Sequence, residues 1–265
     1  MTEQPHLLSE VKEGVLIATL NRPEKLNALS RETMELFEEA LLRFRDDPDI
    51  RVMLIRATGR YYCSGADLTG GSPNTNQTAT GIRETHRVGL NGMHRIYDEM
   101  EHIEKPIVCA VHAPCVGGGL EMALSCDFRL VSENAEFSFP EGLFGVLPAS
   151  NGVSRLTRIC GPHWARWLIM ANRKADANRA LIMGLAHEVL PNEGFHDAAF
   201  DFCKHLTRNN PEQMGAAKIA IEMAAEVGRD TARHVERMAN SALMLNPGYQ
   251  KMMTDYVSRL GSKKG

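Results

Sequence analysis

Two glutamates and two small-residue loops are the parts of this chain whose residue types and spacing could do chemistry. Glu121 follows the run Cys115-Val116-Gly117-Gly118-Gly119-Leu120, and Glu141 closes Phe137-Ser138-Phe139-Pro140. Both sit among apolar neighbours: Leu120 and Met122 for the first, Phe139, Pro140 and Leu143 for the second. Loss of water disfavours an ionised carboxylate and lifts its pKa toward the range useful for general acid–base work. Taken singly, each glutamate reads equally well as a solvated surface residue, and spacing alone does not bring the two together. The three glycines lie between an apolar run, residues 106–111, and an apolar helix-compatible segment. Bare backbone there lets a ligand oxygen approach the open N–H groups of a helix start. The same pattern also fits a tight strand-to-helix packing point. Nucleotide phosphate fits poorly, because Met122 fills the third glycine place of the dinucleotide pattern and no Lys-Ser/Thr follows. Ser64-Gly65-Ala66-Asp67-Leu68 is the second loop and on its own reads as a tight turn with Asp67 as a helix cap. Its interest is as a partner, since an oxyanion hole takes two N–H donors from separate segments.

Other chemistries find little support. The ten histidines form no HxxxH or HExxH pattern, and no G-x-S-x-G elbow surrounds Ser64 or Ser154, so neither a metal centre nor a Ser–His–Asp triad is expected. Six scattered cysteines without CxxC spacing read as reduced, mostly buried thiols of a cytoplasmic protein. A net charge of -3 offers no electrostatic case for nucleic acid or an anionic membrane. The N-terminus lacks a basic patch followed by an apolar stretch, and no apolar run approaches the ~18 residues of a membrane span.

The elements that must position these groups follow from pattern. Residues 6–20 read as a hairpin around Lys12-Glu13-Gly14. Ser30 is placed to cap a helix whose buried face is Met34, Phe37, Leu41 and Phe44. Residues 52–55 read as a buried strand, 69–81 as a polar surface loop, and 82–103 as one long helix. Further strands are expected at 106–111, 127–132 and 185–190, with a brief one ending at Pro140. Residues 152–159 and 162–170 look helical, and Asp176 can cap a helix ending near Gly184. From Phe195 to Leu260 only helical periodicity remains, interrupted at Asn210-Pro211, Gly228 and Asn246-Pro247. Strand–turn–strand–helix recurs, so the pattern gives a mixed α/β fold with a helical C-terminal part.

These stretches resemble the enoyl-CoA hydratase/isomerase (crotonase) superfamily along nearly the whole chain. The resemblance is carried by Leu20-Asn21-Arg22-Pro23-Glu24-Lys25-Leu26-Asn27-Ala28-Leu29, Cys63-Ser64-Gly65-Ala66-Asp67-Leu68, Gly117-Gly118-Gly119-Leu120-Glu121-Met122-Ala123, Cys126-Asp127 and Phe137-Ser138-Phe139-Pro140-Glu141. It implies a spiral of ββα turns over residues 1–195 and a helical trimerisation region over 196–265, assembling as a homotrimer or a hexamer made of two trimers. It implies an acyl-CoA thioester as substrate and no separate cofactor, with the thioester oxygen between the N–H groups of Ala66 and Gly118. Coenzyme A would run along Lys25, Leu26 and Ala28, with its adenine near Ser64, Asp67 and Leu68, while Gly65, Gly117, Pro140 and Ala149 line the substrate. Hydratases of the family use two glutamates, here Glu121 to activate water and Glu141 to deliver a proton. That favours 2-enoyl-CoA hydration over isomerisation between the Δ3 and Δ2 positions, or over hydrolysis or dehydration of a non-fatty acyl-CoA. A non-catalytic acyl-CoA-binding protein is a third reading, opposed by the two retained glutamates. Two departures, Pro148-Ala149-Ser150-Asn151-Gly152 in place of a Gly-rich segment and His112-Ala113 in place of Asn-Gly, point to a reshaped acyl pocket.

Overall fold

The structure is a computed structural model in which residues 4–70, 78–88 and 91–262 are described. The chain opens with the expected hairpin, β1 (Leu7–Lys12) antiparallel to β2 (Val15–Leu20), turning through Glu13 and Gly14 at positive φ. After a short 3-10 turn, Pro23–Lys25, helix α1 (Arg31–Asp46) starts at Ser30, whose side chain accepts from the Thr33 N–H. Phe37, Leu41 and Phe44 of α1 are buried, and Met34 packs against the same core. Strand β3 (Val52–Ala57) joins β2 in parallel.

Two expectations need correction here. The polar loop assigned to 69–81 is shorter at both ends, because Leu68–Gly70 forms a 3-10 turn and a helix begins at Ala79; residues 71–77 lie outside the described residues. Of the helix expected over 82–103, α2 (Ala79–Val88) and α3 (Asn91–His102) are described, and residues 89–90 lie outside the described residues. The strand expected at 185–190 is only β9 (Glu188–Leu190), because the N–H groups of Leu185 and Ala186 turn back to the Ala180 carbonyl.

Between these come β4 (Ile107–Val111), β5 (Cys115–Val116), α4 (Gly118–Leu124), β6 (Phe128–Ser132), β7 (Glu136–Ser138), α5 (Gly152–Ala165), β8 (Ala175–Asp176) and α6 (Ala177–Ile182). Helix α5 kinks at Gly161, ahead of Pro162, and passes into a π-helical turn over Arg166–Met170. Asp176 caps α6 by accepting from the Arg179 N–H. The helices after β9 are α7 (Phe195–Thr207), α8 (Pro211–Glu226), α9 (Arg229–Met244) and α10 (Tyr249–Ser262), broken where the sequence predicts. No described helix is long and apolar enough to cross a membrane.

The strands form two layers. The first is a six-stranded sheet in the order β1-β2-β3-β4-β6-β9, the second a small sheet in the order β5-β7-β8. Isolated parallel bridges, Leu29 to Ala66 and Cys63 to Cys115, extend the second layer under the earlier turns of the chain. The turns β4-β5-α4 and β6-β7-α5 each give one strand to the large sheet, a second to the small one, and then a helix, which is the ββα unit of the spiral. The central strands β3 and β4 carry unbroken apolar runs, as expected of parallel strands covered on both faces. Two polar residues lock the turns together. The Asp127 carboxylate accepts from the Ile107 N–H at 2.7 Å, and the buried Arg129 guanidinium donates to the carbonyls of Ala123, Cys126 and Leu185, capping the C-terminal end of α4.

The chain divides into two compact units, Met1–Arg208 and Asn209–Gly265. Helix α7 belongs to the first because it packs on β2, β3 and β4, so this division falls beyond residue 195. The second unit consists of α8, α9 and α10.

Asn27 is the polar anchor of the first loop. It is 1% exposed and sits at φ 54, a region that asparagine tolerates. Its amide donates to the carbonyls of Thr58 and Tyr61 at 2.7 and 2.8 Å, and its oxygen accepts from the Arg22 N–H at 2.8 Å. Asn27→Ala removes all three bonds and strands buried backbone groups, so urea unfolding should show a loss of about 3 kcal/mol.

Candidate active site

The small sheet explains why distant segments meet. Strands β5 and β7 pair in parallel, Val116 opposite Ser138, so the residues that follow each strand emerge at the same edge. The Gly117 N–H extends the pairing by donating to the Ser138 carbonyl at 3.0 Å. Gly117 takes φ 52 and ψ -124 as α4 begins, a conformation that favours glycine. A side chain there would also collide with the next strand's product, because a Cβ on Gly117 would lie 2.8 Å from Glu141 Oε1. Glu141 therefore lies directly over the glycine turn. Glu121 sits one turn into α4, its N–H bonded to the Gly117 carbonyl.

The Ser64–Leu68 loop reaches the same place from the other side. The Ser64 N–H donates to the Leu26 carbonyl, the Leu29 N–H to the Gly65 carbonyl, and the Asp67 N–H to the Leu29 carbonyl. Gly65, at φ 96, lets this strand press on the glycine turn: a Cβ on it would be 3.1 Å from the Val116 carbonyl and 3.3 Å from the Gly118 nitrogen. A Cβ on Gly118 would likewise lie 3.4 Å from the Ala66 nitrogen. The two N–H groups are thus neighbours, and neither donates to a protein acceptor among the described residues. Leu29 and the end of the Met93 side chain flank Gly118 as an apolar wall, and the Tyr97 hydroxyl donates to the Gly118 carbonyl at 3.0 Å.

The carboxylates differ in their surroundings. Glu121 is 4% exposed. Its Oε1 accepts from the N–H groups of Ser150 and Gly152 at 2.7 and 3.2 Å. Burial raises its pKa above the ordinary glutamate value, opposed by those two N–H groups and by the nearby charge of Arg155. Glu141 is half-buried, and its Oε2 is a buried atom without a hydrogen-bond partner. Burial pushes the Glu141 pKa up to about 7, and the neighbouring Glu121 charge adds to the rise. Two carboxylates near enough to sense each other, one better supplied with hydrogen bonds, tend to separate into a base and an acid.

The other residues singled out in the sequence differ in exposure. Leu26, Ala28, Ser64 and Pro140 are half-buried, and Lys25, Leu68 and Ala149 are exposed. Leu26 adopts positive φ after the 3-10 turn. The Asp67 carboxylate is already engaged, accepting from Arg22 Nη1 at 2.5 Å and from both the N–H and the hydroxyl of Thr69. Those donors hold its pKa well below the usual carboxylate range. Attention to Ala149 misses its neighbours, because the N–H groups that reach Glu121 belong to Ser150 and Gly152. Gly152, opening α5 after Pro148, was the visible sign of them. Arg155 carried no such sign, since an arginine in a helix ordinarily faces water. No group of three or more metal-ligating side chains clusters among the described residues.

Comparison with known proteins identifies the family. The sequence pattern of the enoyl-CoA hydratase/isomerase family matches residues 10–263. A short-chain-enoyl-CoA hydratase from Clostridium acetobutylicum is 28% identical over 250 residues, covering 94% of this chain and 93% of its own length. A carnitinyl-CoA dehydratase from Salmonella agona is 32% identical over 229 residues, covering 86% of this chain and 83% of its own length. Among solved structures, enoyl-CoA hydratase subunit I from Geobacillus kaustophilus superposes with a TM-score of 0.87 at 26% identity, covering 96% of this chain and 95% of that one. An enoyl-CoA hydratase from Bacillus anthracis shares the fold with the same TM-score, 0.87, at 23% identity and 96% coverage of each chain. With the motif-bearing loops gathered at one edge of a ββα spiral and the family pattern spanning almost all of the sequence, the chain belongs to the enoyl-CoA hydratase/isomerase family, the crotonase superfamily.

Proposed function

We propose that the protein hydrates 2-enoyl-CoA thioesters to 3-hydroxyacyl-CoA. One observation carries this reading: two unpaired backbone N–H groups and two desolvated glutamates lie around one glycine turn. The thioester oxygen would lie between the Ala66 and Gly118 N–H groups, where charge develops as the enolate forms. A donor of this kind is typically worth ~10²–10³ in rate. Ionised Glu121, its Oε1 held by Ser150 and Gly152, uses its other oxygen to take a proton from water as the water oxygen bonds to C3. The C2–C3 π electrons move toward the thioester oxygen. Protonated Glu141 then gives its proton to C2, and exchange with solvent restores both carboxyls. Leu29 and Met93 border the acyl chain next to Gly118. Coenzyme A would follow Lys25, Leu26 and Ala28 toward Ser64, Asp67 and Leu68, with Gly65, Gly117, Pro140 and Ala149 lining the substrate. Assembly as a trimer or hexamer, as the family resemblance suggests, belongs to the same proposal.

A second reading, dehydration of a 3-hydroxyacyl-CoA, is favoured by the likeness to a carnitinyl-CoA dehydratase. It uses the same groups in reverse, with Glu141 removing the C2 proton and Glu121 protonating the departing hydroxyl. Turnover of crotonyl-CoA and longer 2-enoyl-CoAs, followed by loss of the conjugated-thioester absorbance, tests the proposal; no turnover at any chain length contradicts it. Glu121→Gln and Glu141→Gln should each lower kcat by ~10²–10⁴, and full activity in either removes that residue from the mechanism.

The pH dependence has a definite sign. Hydration takes Glu121 ionised and Glu141 protonated, so kcat/KM should fall on the acid side as the Glu121 pair member gains its proton. It should fall again above about 7, where Glu141 loses its proton. Dehydration takes the opposite protonation states. A hydration profile that rises steadily through pH 8 would contradict the assignment.

A further inference from the structure

Arg155, on α5, does not face the site's centre, yet its side chain ties that centre to the opposite helix. It is 6% exposed. Its Nε and Nη2 grip both oxygens of Glu101 at 2.6 and 2.7 Å, and Nη2 also donates to Asp98 at 2.7 Å. Both acids belong to α3. Its remaining arm, Nη1, donates to the Ser150 carbonyl at 2.9 Å. Ser150 is the residue whose N–H grips Glu121 Oε1. Asn151, at φ 61, adds a second strut by donating to the same Asp98 oxygen at 3.1 Å. That carbonyl belongs to the planar Ser150–Asn151 peptide, which lies between the Ser150 and Gly152 N–H groups and is separated from each by a single φ/ψ pair, so holding it restricts the direction of both. The chain of contacts therefore runs from Asp98 and Glu101 through Arg155 and the Ser150 backbone to one oxygen of Glu121.

We infer that Arg155 is a positioning residue for Glu121: braced by Asp98 and Glu101, it aims the Ser150 and Gly152 N–H groups at Oε1 and so leaves the other oxygen of Glu121 directed at the reacting water. The bidentate fork explains why the residue is arginine, because a lysine can bring the charge but not hold two carboxylates and a carbonyl in one plane. The position also sets the charge facing Glu121. The groups acting on that carboxylate are the Ser150 backbone and hydroxyl, the Gly152 N–H, Arg155 on α5, Glu141 after β7, and Tyr97 on α3. Arg155 is the only cation among them, while Asp98 and Glu101 offset part of its charge.

The inference rests on Glu121 being the base of the proposed reaction, so it is tested in a way that does not need turnover. In full-length protein with carboxyl-labelled glutamate, the Glu121 resonance is assigned by its loss in Glu121→Gln and titrated by NMR. Arg155→Met should move the Glu121 midpoint up by at least half a pH unit, because a cation and the aim of two N–H donors are lost together. Arg155→Lys should move it by less. An unmoved midpoint in folded Arg155→Met, or in Arg155→Lys if the first variant does not fold, overturns the inference. Where an enoyl-CoA is turned over, Arg155→Met should lower kcat ~10–100-fold with KM within about threefold, and the acid limb should shift to higher pH. If no enoyl-CoA is turned over by the unaltered protein, the proposed reaction falls and the NMR titration still decides the role of Arg155.

Discussion

The hydrogen bond from the Gly117 N–H to the Ser138 carbonyl is the contact on which the rest of the site depends. It closes the parallel pairing of β5 and β7 and sets the distance between the ends of two ββα turns. From that pairing everything else takes its place. Gly117 turns into α4 with its N-terminal amides open, Glu121 falls one turn further in, and Glu141 comes to lie over the glycine. The residues between the two strands supply α4 and β6. A site assembled in this way has little tolerance for an added side chain, since the backbones of residues 65, 117 and 118 already approach van der Waals contact.

The same closeness creates the electrostatics. Two carboxylates held near each other in apolar surroundings cannot both ionise freely, and the structure treats them unequally. Glu121 receives two backbone N–H groups and a nearby guanidinium, all of which favour its charge. Glu141 keeps one oxygen buried and unpaired, which favours its proton. The difference in charge state between the two thus comes from the backbone of the Pro148–Gly152 loop and from Arg155 rather than from the glutamates themselves.

Much of this was legible in the sequence. Ser30 and Asp176 cap the helices they announce, the hairpin turns at Glu13-Gly14, and the interruptions after residue 208 fall at the asparagine–proline and glycine positions. Local chemistry sets these features, so local sequence reveals them. The long-range features were less accessible. Nothing in the spacing of Glu121 and Glu141 says that β5 and β7 are neighbours, because the pairing depends on the path of the whole spiral. Arg155 was invisible for a related reason: its importance lies in a partner more than fifty residues away, Glu101.

The central claim is that the Ala66 and Gly118 N–H groups hold one thioester oxygen beneath the two glutamates. A crystal structure with an unreactive saturated acyl-CoA, such as butyryl-CoA, addresses it most directly. The account predicts the thioester oxygen about 2.7–3.1 Å from both nitrogens, with C2 and C3 facing Glu141 and Glu121. A thioester oxygen that bonds to neither nitrogen, in a ligand otherwise well bound, would contradict it.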